Sequence, residues 1–81
     1  MIFEKSDIRP TGHYLLHHSD VEWELVTAAI ISPTKTHPNR RRGKDRFTYI
    51  REFKKFSVEV HTKEDDSSCI IWVINAFKMR M

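Results

Sequence analysis

Arg46-Phe47-Thr48-Tyr49-Ile50-Arg51-Glu52-Phe53 is the stretch in which the apolar period of the chain settles at two. Phe47, Tyr49, Arg51 and Phe53 share one face of an extended strand, and Arg46, Thr48, Ile50 and Glu52 share the other. Just beyond it, Phe56, Val58, Val60 and Thr62 alternate with Lys55, Ser57, Glu59, His61 and Lys63, which predicts a second strand. Lys63-Glu64-Asp65-Asp66-Ser67-Ser68 is a polar turn. Cys69 to Phe77 is apolar at nearly every position, which predicts an interior strand covered on both sides. Its expected neighbours are the 56–62 strand and the N-terminal segment.

Upstream the period changes. Ser19-Asp20-Val21-Glu22 reads as a capping box, in which Ser19 and Glu22 each satisfy an orphan backbone N–H. Asp20 and Glu24 suit the positive end of a helix dipole. Val21, Leu25 and Ala28, widened by Trp23, Val26 and Ile30, form an apolar stripe, and Ser32-Pro33 stops it. These signals predict a helix over 19–31. His13 to His18 forms one or two helical turns after Pro10-Thr11-Gly12, and Ile2-Phe3-Glu4 is a short edge strand. Residues 33–45, with two prolines and three consecutive arginines, read as an exposed basic loop or distorted hairpin.

The expected architecture is one α+β domain over residues 1–81. An N-terminal strand and helical segment (1–18) and a helix (19–31) pack on one face of a three-stranded antiparallel meander (46–78), with the basic loop (33–45) between them. The other sheet face carries Lys55, Ser57, Glu59 and His61 and meets water or a ligand.

At 81 residues the chain must commit nearly every large apolar side chain to a single core. The 40% hydrophobic content allows this. Cys69 is the sole cysteine, which excludes an internal disulfide and a cysteine zinc cluster, and its apolar context predicts a buried thiol. No signal-peptide pattern or membrane-spanning run is visible, so the expected location is the cytoplasm. Two tryptophans and a doubly apolar strand in so short a chain also fit a homodimer.

The formal net charge of +3 hides a strong polarisation. Nine basic residues fall between Lys35 and Lys55 against Asp45 and Glu52, whereas the rest of the chain holds five basic and nine acidic residues. Such a distribution suits a polyanion. Arg40, Arg41, Arg42, Lys44, Arg46, Arg51, Lys54 and Lys55 are candidate phosphate contacts, and Tyr49 offers a ring on which a base can stack. The plainer reading is a solvated charged loop.

Histidine moves protons near neutral pH, so His13, His17 and His18, with His61 on the outward strand face as a partner, are candidate acids and bases for RNA cleavage. The plainer reading of His17 and His18 is that of helix-end residues suited to the dipole. His13 and His17 also have the i, i+4 spacing of a zinc pair, but the interval lacks the glutamate of a metalloprotease and no third ligand follows from spacing. Neither metal nor cofactor is expected, and no serine-nucleophile or phosphate-loop motif is present.

The order of these features resembles the RelE-like superfamily of ribonuclease toxins, most closely the BrnT-type toxins and their relatives. The resemblance rests on His17-His18-Ser19-Asp20-Val21-Glu22-Trp23, Ser32-Pro33, Gly43-Lys44-Asp45-Arg46, Val58-Glu59-Val60-His61-Thr62 and Ile71-Trp72-Val73-Ile74-Asn75-Ala76. It covers roughly residues 13–78. The resemblance implies a metal-independent endoribonuclease acting on single-stranded or ribosome-bound mRNA, with a protein antitoxin over its active face. It implies site roles for His13 or His17, Arg46, Thr62 and Asn75. The chain departs from the BrnT pattern at Trp72 and Phe77, where arginines are common. That departure keeps two alternatives open: a non-catalytic nucleic-acid-binding module, and an interaction domain for an acidic protein.

Overall fold

A computed structural model describes residues 8–65 and 67–80. The expected Ile2-Phe3-Glu4 strand lies outside them. The described chain is α+β, with two helices and a five-stranded mixed sheet. Its elements are β1 (Ile8–Pro10), α1 (Gly12–His17), α2 (Trp23–Ile31), β2 (Lys35–Pro38), β3 (Arg46–Glu52), β4 (Phe56–Asp65) and β5 (Ile70–Arg80). The sheet order is β1-β5-β4-β3-β2; β1 runs parallel to β5 and every other pair is antiparallel.

The meander forms where the alternation placed it, and the sheet gains a strand at each edge. Of the two readings of the basic segment the hairpin holds: Lys35–Pro38 pairs with Phe47–Ile50 and leaves only residues 39–45 as its tip. Gly43 takes φ 144° in that tip, where a Cβ would meet Asp45 Oδ1 at 3.0 Å. Lys35 and Pro38 on the exposed edge discourage pairing with a further strand.

The helix starts later than the capping box predicts. It runs from Trp23, and the residue at its cap, Glu22, makes no side-chain cap bond. Tertiary burial is the reason. Val21 is almost completely buried, and its carbonyl accepts the Tyr14 hydroxyl. Residues 18–22 must leave the helical path to deliver it, closing a turn in which Val21 N–H donates to the His18 carbonyl. Burying a valine contributes about 1.5–3 kcal/mol, more than the ~1 kcal/mol of a typical cap. The functioning cap is Thr11 of α1, whose hydroxyl accepts from Tyr14 N–H and donates to the Val73 carbonyl at 2.7 Å.

The core lies between the helices and one sheet face. Val26, Ala29 and Ile30 of α2, with Tyr14 and Val21, join Ile8, Tyr49, Val58, Val60, Ile71, Val73 and Ala76 in one buried cluster. A bulge sets this inventory. His61 pairs with Asn75 but Thr62 pairs with Val73, so Ile74 is an extra residue and Val73 and Ala76 both turn inward. No buried side-chain polar atom among the described residues lacks a hydrogen-bond partner.

Two expectations for the last strand are corrected. β5 is interior to the sheet, yet it is sealed on one face only: Ile71, Val73 and Ala76 are buried, whereas Trp72 and Ile74 are half-buried and Phe77 is exposed. Among the described residues no element packs over that second face. Cys69 is exposed rather than buried, since it takes φ 56° in the turn before β5.

Candidate nucleic-acid interface

Pairing register determines what the uncovered face presents. Side chains on neighbouring strands stand about 4.8 Å apart, and i, i+2 residues on one strand about 6.6 Å apart. Residues opposite to the buried set therefore form rows across the sheet. One row reads Arg9, Trp72, Lys63, Arg46, from the pairings Arg9↔Trp72, Trp72↔Lys63 and Lys63↔Arg46. Asp45 leans on its last two cations, 3.9 Å from each. Exposed pairs of this kind are worth little, so the row remains cationic, with an indole in its middle.

The next row reads Asn75, His61, Thr48, His37, of which Thr48 is itself buried and presents little surface. His61 is its best-held side chain. Its Nε2 lies 2.8 Å from Glu59 Oε2, and its Nδ1 lies 3.5 Å from Asn75 Nδ2. Carboxylate and amide fit the tautomer in which Nε2–H donates to Glu59 and Nδ1 carries the lone pair. The Asn75 contact is at the limit of a hydrogen bond, so Nδ1 is the atom left for a substrate.

The N-terminal histidines reach the same place. α1 runs beside β5, and His18 Nδ1–H donates to the Ala76 carbonyl at 3.1 Å. Its Nε2 is thereby the lone-pair nitrogen of the neutral ring. The His18 ring meets Phe77 edge-on at 5.1 Å between centroids, and His61 meets the same phenyl at 5.5 Å. His13 stands 5.2 Å from His18 and 4.9 Å from His17. Two imidazoles therefore flank one exposed phenyl, with His13 and His17 further out. Among the described residues no group of three or more His, Cys, Asp or Glu side chains is arranged to hold a metal ion.

The sequence-predicted residues divide in space. His61 and Asn75 come together, Arg46 lies one row away, and His13 and His17 border the site through His18. Arg40, Arg41, Arg42 and Lys44 are exposed on the hairpin tip that continues from Arg46, and Arg40 and Lys44 line a hollow of about 570 Å³ with Pro38 and Gly43. Lys54 and Lys55 occupy the turn at the opposite end of β3. Three residues are removed from any interface on this face because they point toward the helices. Tyr49 is buried and its hydroxyl donates to Glu64 Oε1; burial foremost, then that bond and the Glu64 charge, raise its pKa well above the usual tyrosine range. Thr62 is buried, and Arg51 Nη1 donates to the Ala28 carbonyl of α2 at 3.4 Å while its guanidinium lies over Phe53. At the tip end Asp65 opposes the cations, its carboxylate held below the usual range chiefly by the Ser67 and Ser68 side chains.

Sequence reasoning missed Arg9, Lys63, Trp72 and Phe77; it set Glu59 on the outward face without a role and read His18 as a helix-end residue. The turn at 67–69 carries one usable signal, since a hairpin closing there sets Lys63 opposite Trp72. Nothing local marks His18, whose placement depends on the path of α1. Among the described residues no helix is long and apolar enough to cross a membrane. Compared with protein-family models, curated proteins and solved structures, the chain matches none.

Proposed function

We propose that this chain binds single-stranded RNA across the uncovered sheet face and cleaves it without a metal, as an endoribonuclease of the RelE-like, BrnT-like toxin kind. One observation carries the reading: a cationic row with a central indole, Arg9, Trp72, Lys63 and Arg46, lies one step from a histidine held by a carboxylate and an amide. Phosphates take the cations, and bases stack on Trp72 and Phe77.

The two imidazoles beside Phe77 divide the proton transfers. His18 Nε2 removes the proton of the ribose 2′-OH, and the 2′-oxygen attacks the adjacent phosphorus. The P–O5′ bond breaks, and the imidazolium form of His61 gives a proton to the departing 5′-oxygen. The products are a 2′,3′-cyclic phosphate and a free 5′-hydroxyl, so the reaction needs RNA rather than DNA. Arg46 and Lys63 steady the phosphate charge. In keeping with the toxin resemblance, a protein antitoxin would cover this same face, and mRNA on the ribosome is a natural substrate.

The test is cleavage of a labelled single-stranded RNA in EDTA by wild type, His61→Ala and His18→Ala. Each substitution is expected to lower the rate by about 10²–10⁴-fold. Filter binding should stay within twofold of wild type, and wild-type product should carry a cyclic phosphate end. His13→Ala should retain most of the rate. One observation favours a non-catalytic RNA-binding module instead, namely that Glu59 holds Nε2 of His61 at 2.8 Å and Asn75 stands 3.5 Å from Nδ1, the nitrogen a substrate would need. Salt-sensitive binding without cleavage would establish that alternative and end the catalytic reading. Absence of RNA binding would leave an acidic protein as the partner of these cations.

A further inference from the structure

The basic run that is continuous in sequence is divided by the length of β3, and its far end gains partners from elsewhere. Lys54 and Lys55 form a tight turn closed by a Phe53 N–H to Phe56 carbonyl bond. Pairing of Phe56 with Arg80 and Val58 with Lys78 brings two more cations beside it. Lys54, Lys55, Lys78, Arg80 and Phe56 line one hollow of about 530 Å³. Among the described residues the ion pairs are those of Lys35, Arg46, His61 and Lys63, so none of these four cations has an acidic partner. Four like charges around one hollow repel one another, and a multivalent anion relieves that repulsion.

The aromatic floor defines the kind of anion contact. Phe53 and Phe56 stack at 4.8 Å, Lys78 Nζ lies 4.5 Å above Phe56, and Arg51 lies 5.0 Å above Phe53. These ring faces are occupied by each other and by cations, so the hollow suits phosphates rather than bases.

We propose that this hollow is a second phosphate-binding site, which takes the far segment of the same RNA strand that crosses the uncovered face; it rests on the RNA reading above. From Trp72 to Arg80 is about 26 Å at ~3.3 Å per residue. A stacked strand advances about 3.4 Å per nucleotide, so about eight nucleotides reach from one site to the other and four do not. Strand alternation puts Lys78 and Arg80 on the helix side, so the RNA rounds the sheet end over Lys54 and Lys55.

The experiment is fluorescence anisotropy with uncleavable 2′-O-methyl RNA of four and twelve nucleotides, over a salt series. The Lys54→Gln/Lys55→Gln/Arg80→Gln variant is expected to bind the long probe about tenfold more weakly and to lose about two from its salt slope. Its affinity for the short probe should stay within twofold of wild type. Equal losses on both lengths, or an unchanged long probe, would overturn the proposal. So would loss of binding to poly-glutamate with the long probe unaffected, which would assign the hollow to an acidic protein. Failure of the underlying reading looks different: wild type would bind neither probe, or the short probe would ignore Arg9→Gln/Lys63→Gln, and both proposals would fall together.

Discussion

Alternate residues of β5 divide between two kinds of work. Ile71, Val73 and Ala76 face the helices and are sealed from water, whereas Trp72, Asn75 and Phe77 face outward and stay partly open. On the helix side the enclosed polar groups are tied to neighbours for structural reasons: Tyr14 to the Val21 carbonyl, Tyr49 to Glu64, Arg51 to the Ala28 carbonyl. On the uncovered side cations, imidazoles and rings stand in rows with few such ties. A strand of period two can thus carry stability and recognition at adjacent positions, and substitutions on the two faces should separate cleanly.

The largest effect should come from the helix side. Ile71→Ala removes a fully buried side chain between β1 and β4, and the expected cost is about 2–5 kcal/mol. Against a total stability of about 5–15 kcal/mol, the urea midpoint should fall sharply. RNA affinity measured well below the transition should be unchanged. A variant that keeps its midpoint but loses affinity would show that the faces are not independent.

Trp72→Ala asks the converse at the neighbouring position. Removing a half-buried indole from the cationic row should weaken single-stranded RNA binding by about 1–3 kcal/mol, the worth of one stacked base. Thermal midpoint should move much less than for Ile71→Ala. Unaltered RNA affinity would remove the indole from the interface and leave the row with charge alone.

A smaller effect separates the faces by pH. Tyr49 has its folded pKa raised by burial first and by Glu64 second, and Tyr14 is raised by burial and by Asp20. Below about pH 10 both states hold the phenol proton and the contribution of each group is complete. As pH rises further the unfolded chain releases its protons while the folded chain keeps them, so stability falls. Tyr49→Phe should lose about 0.5–1.5 kcal/mol near neutrality and show a shallower alkaline decline, with Tyr14 supplying what remains. Urea midpoints from pH 8 to 11 check this; parallel curves for the two proteins would mean that Tyr49 is not buried against Glu64.

The extent to which these faces were legible follows from the range of the forces involved. Alternation within 46–53 and 56–62 is local, and it placed His61 outward correctly. It also set Tyr49, Arg51 and Thr62 beside Phe47, Phe53 and Val58, on the side that proved to be covered, in conflict with their expected contacts to nucleic acid. The site itself depends on register. Arg9, Trp72, Lys63 and Arg46 come from four strands, and only hairpin closure and the extra residue Ile74 align them with His61 and Asn75. The N-terminal segment was expected beside the last strand, but β1 has three residues and no pattern, so its parallel direction and its register could not be read. Apolar content on both sides of 69–77 indicated an interior strand, but composition does not distinguish a covered aromatic from one left open for stacking.

The smallest expected effect concerns the one local signal that tertiary structure overrode. Ser19 and Glu22 satisfy every sequence criterion for a capping box, and loss of a working N-cap costs about 0.5–2 kcal/mol. Here the helix begins at Trp23, and Val21 enters the core through the turn that precedes it. Ser19→Ala should therefore change stability by no more than about 0.5 kcal/mol, as for an ordinary exposed position. Thr11→Ala removes a cap that bonds both Tyr14 N–H and the Val73 carbonyl, and it should cost about 1 kcal/mol or more. Chemical denaturation of the two variants side by side measures the difference. If Ser19→Ala proved the more damaging, the helix would begin at residue 20 in solution, and Val21 could not lie where Tyr14 holds it. The path of α1 beside β5 would change with it, and with that path the contact of His18 with Phe77 on which the proposed cleavage site depends.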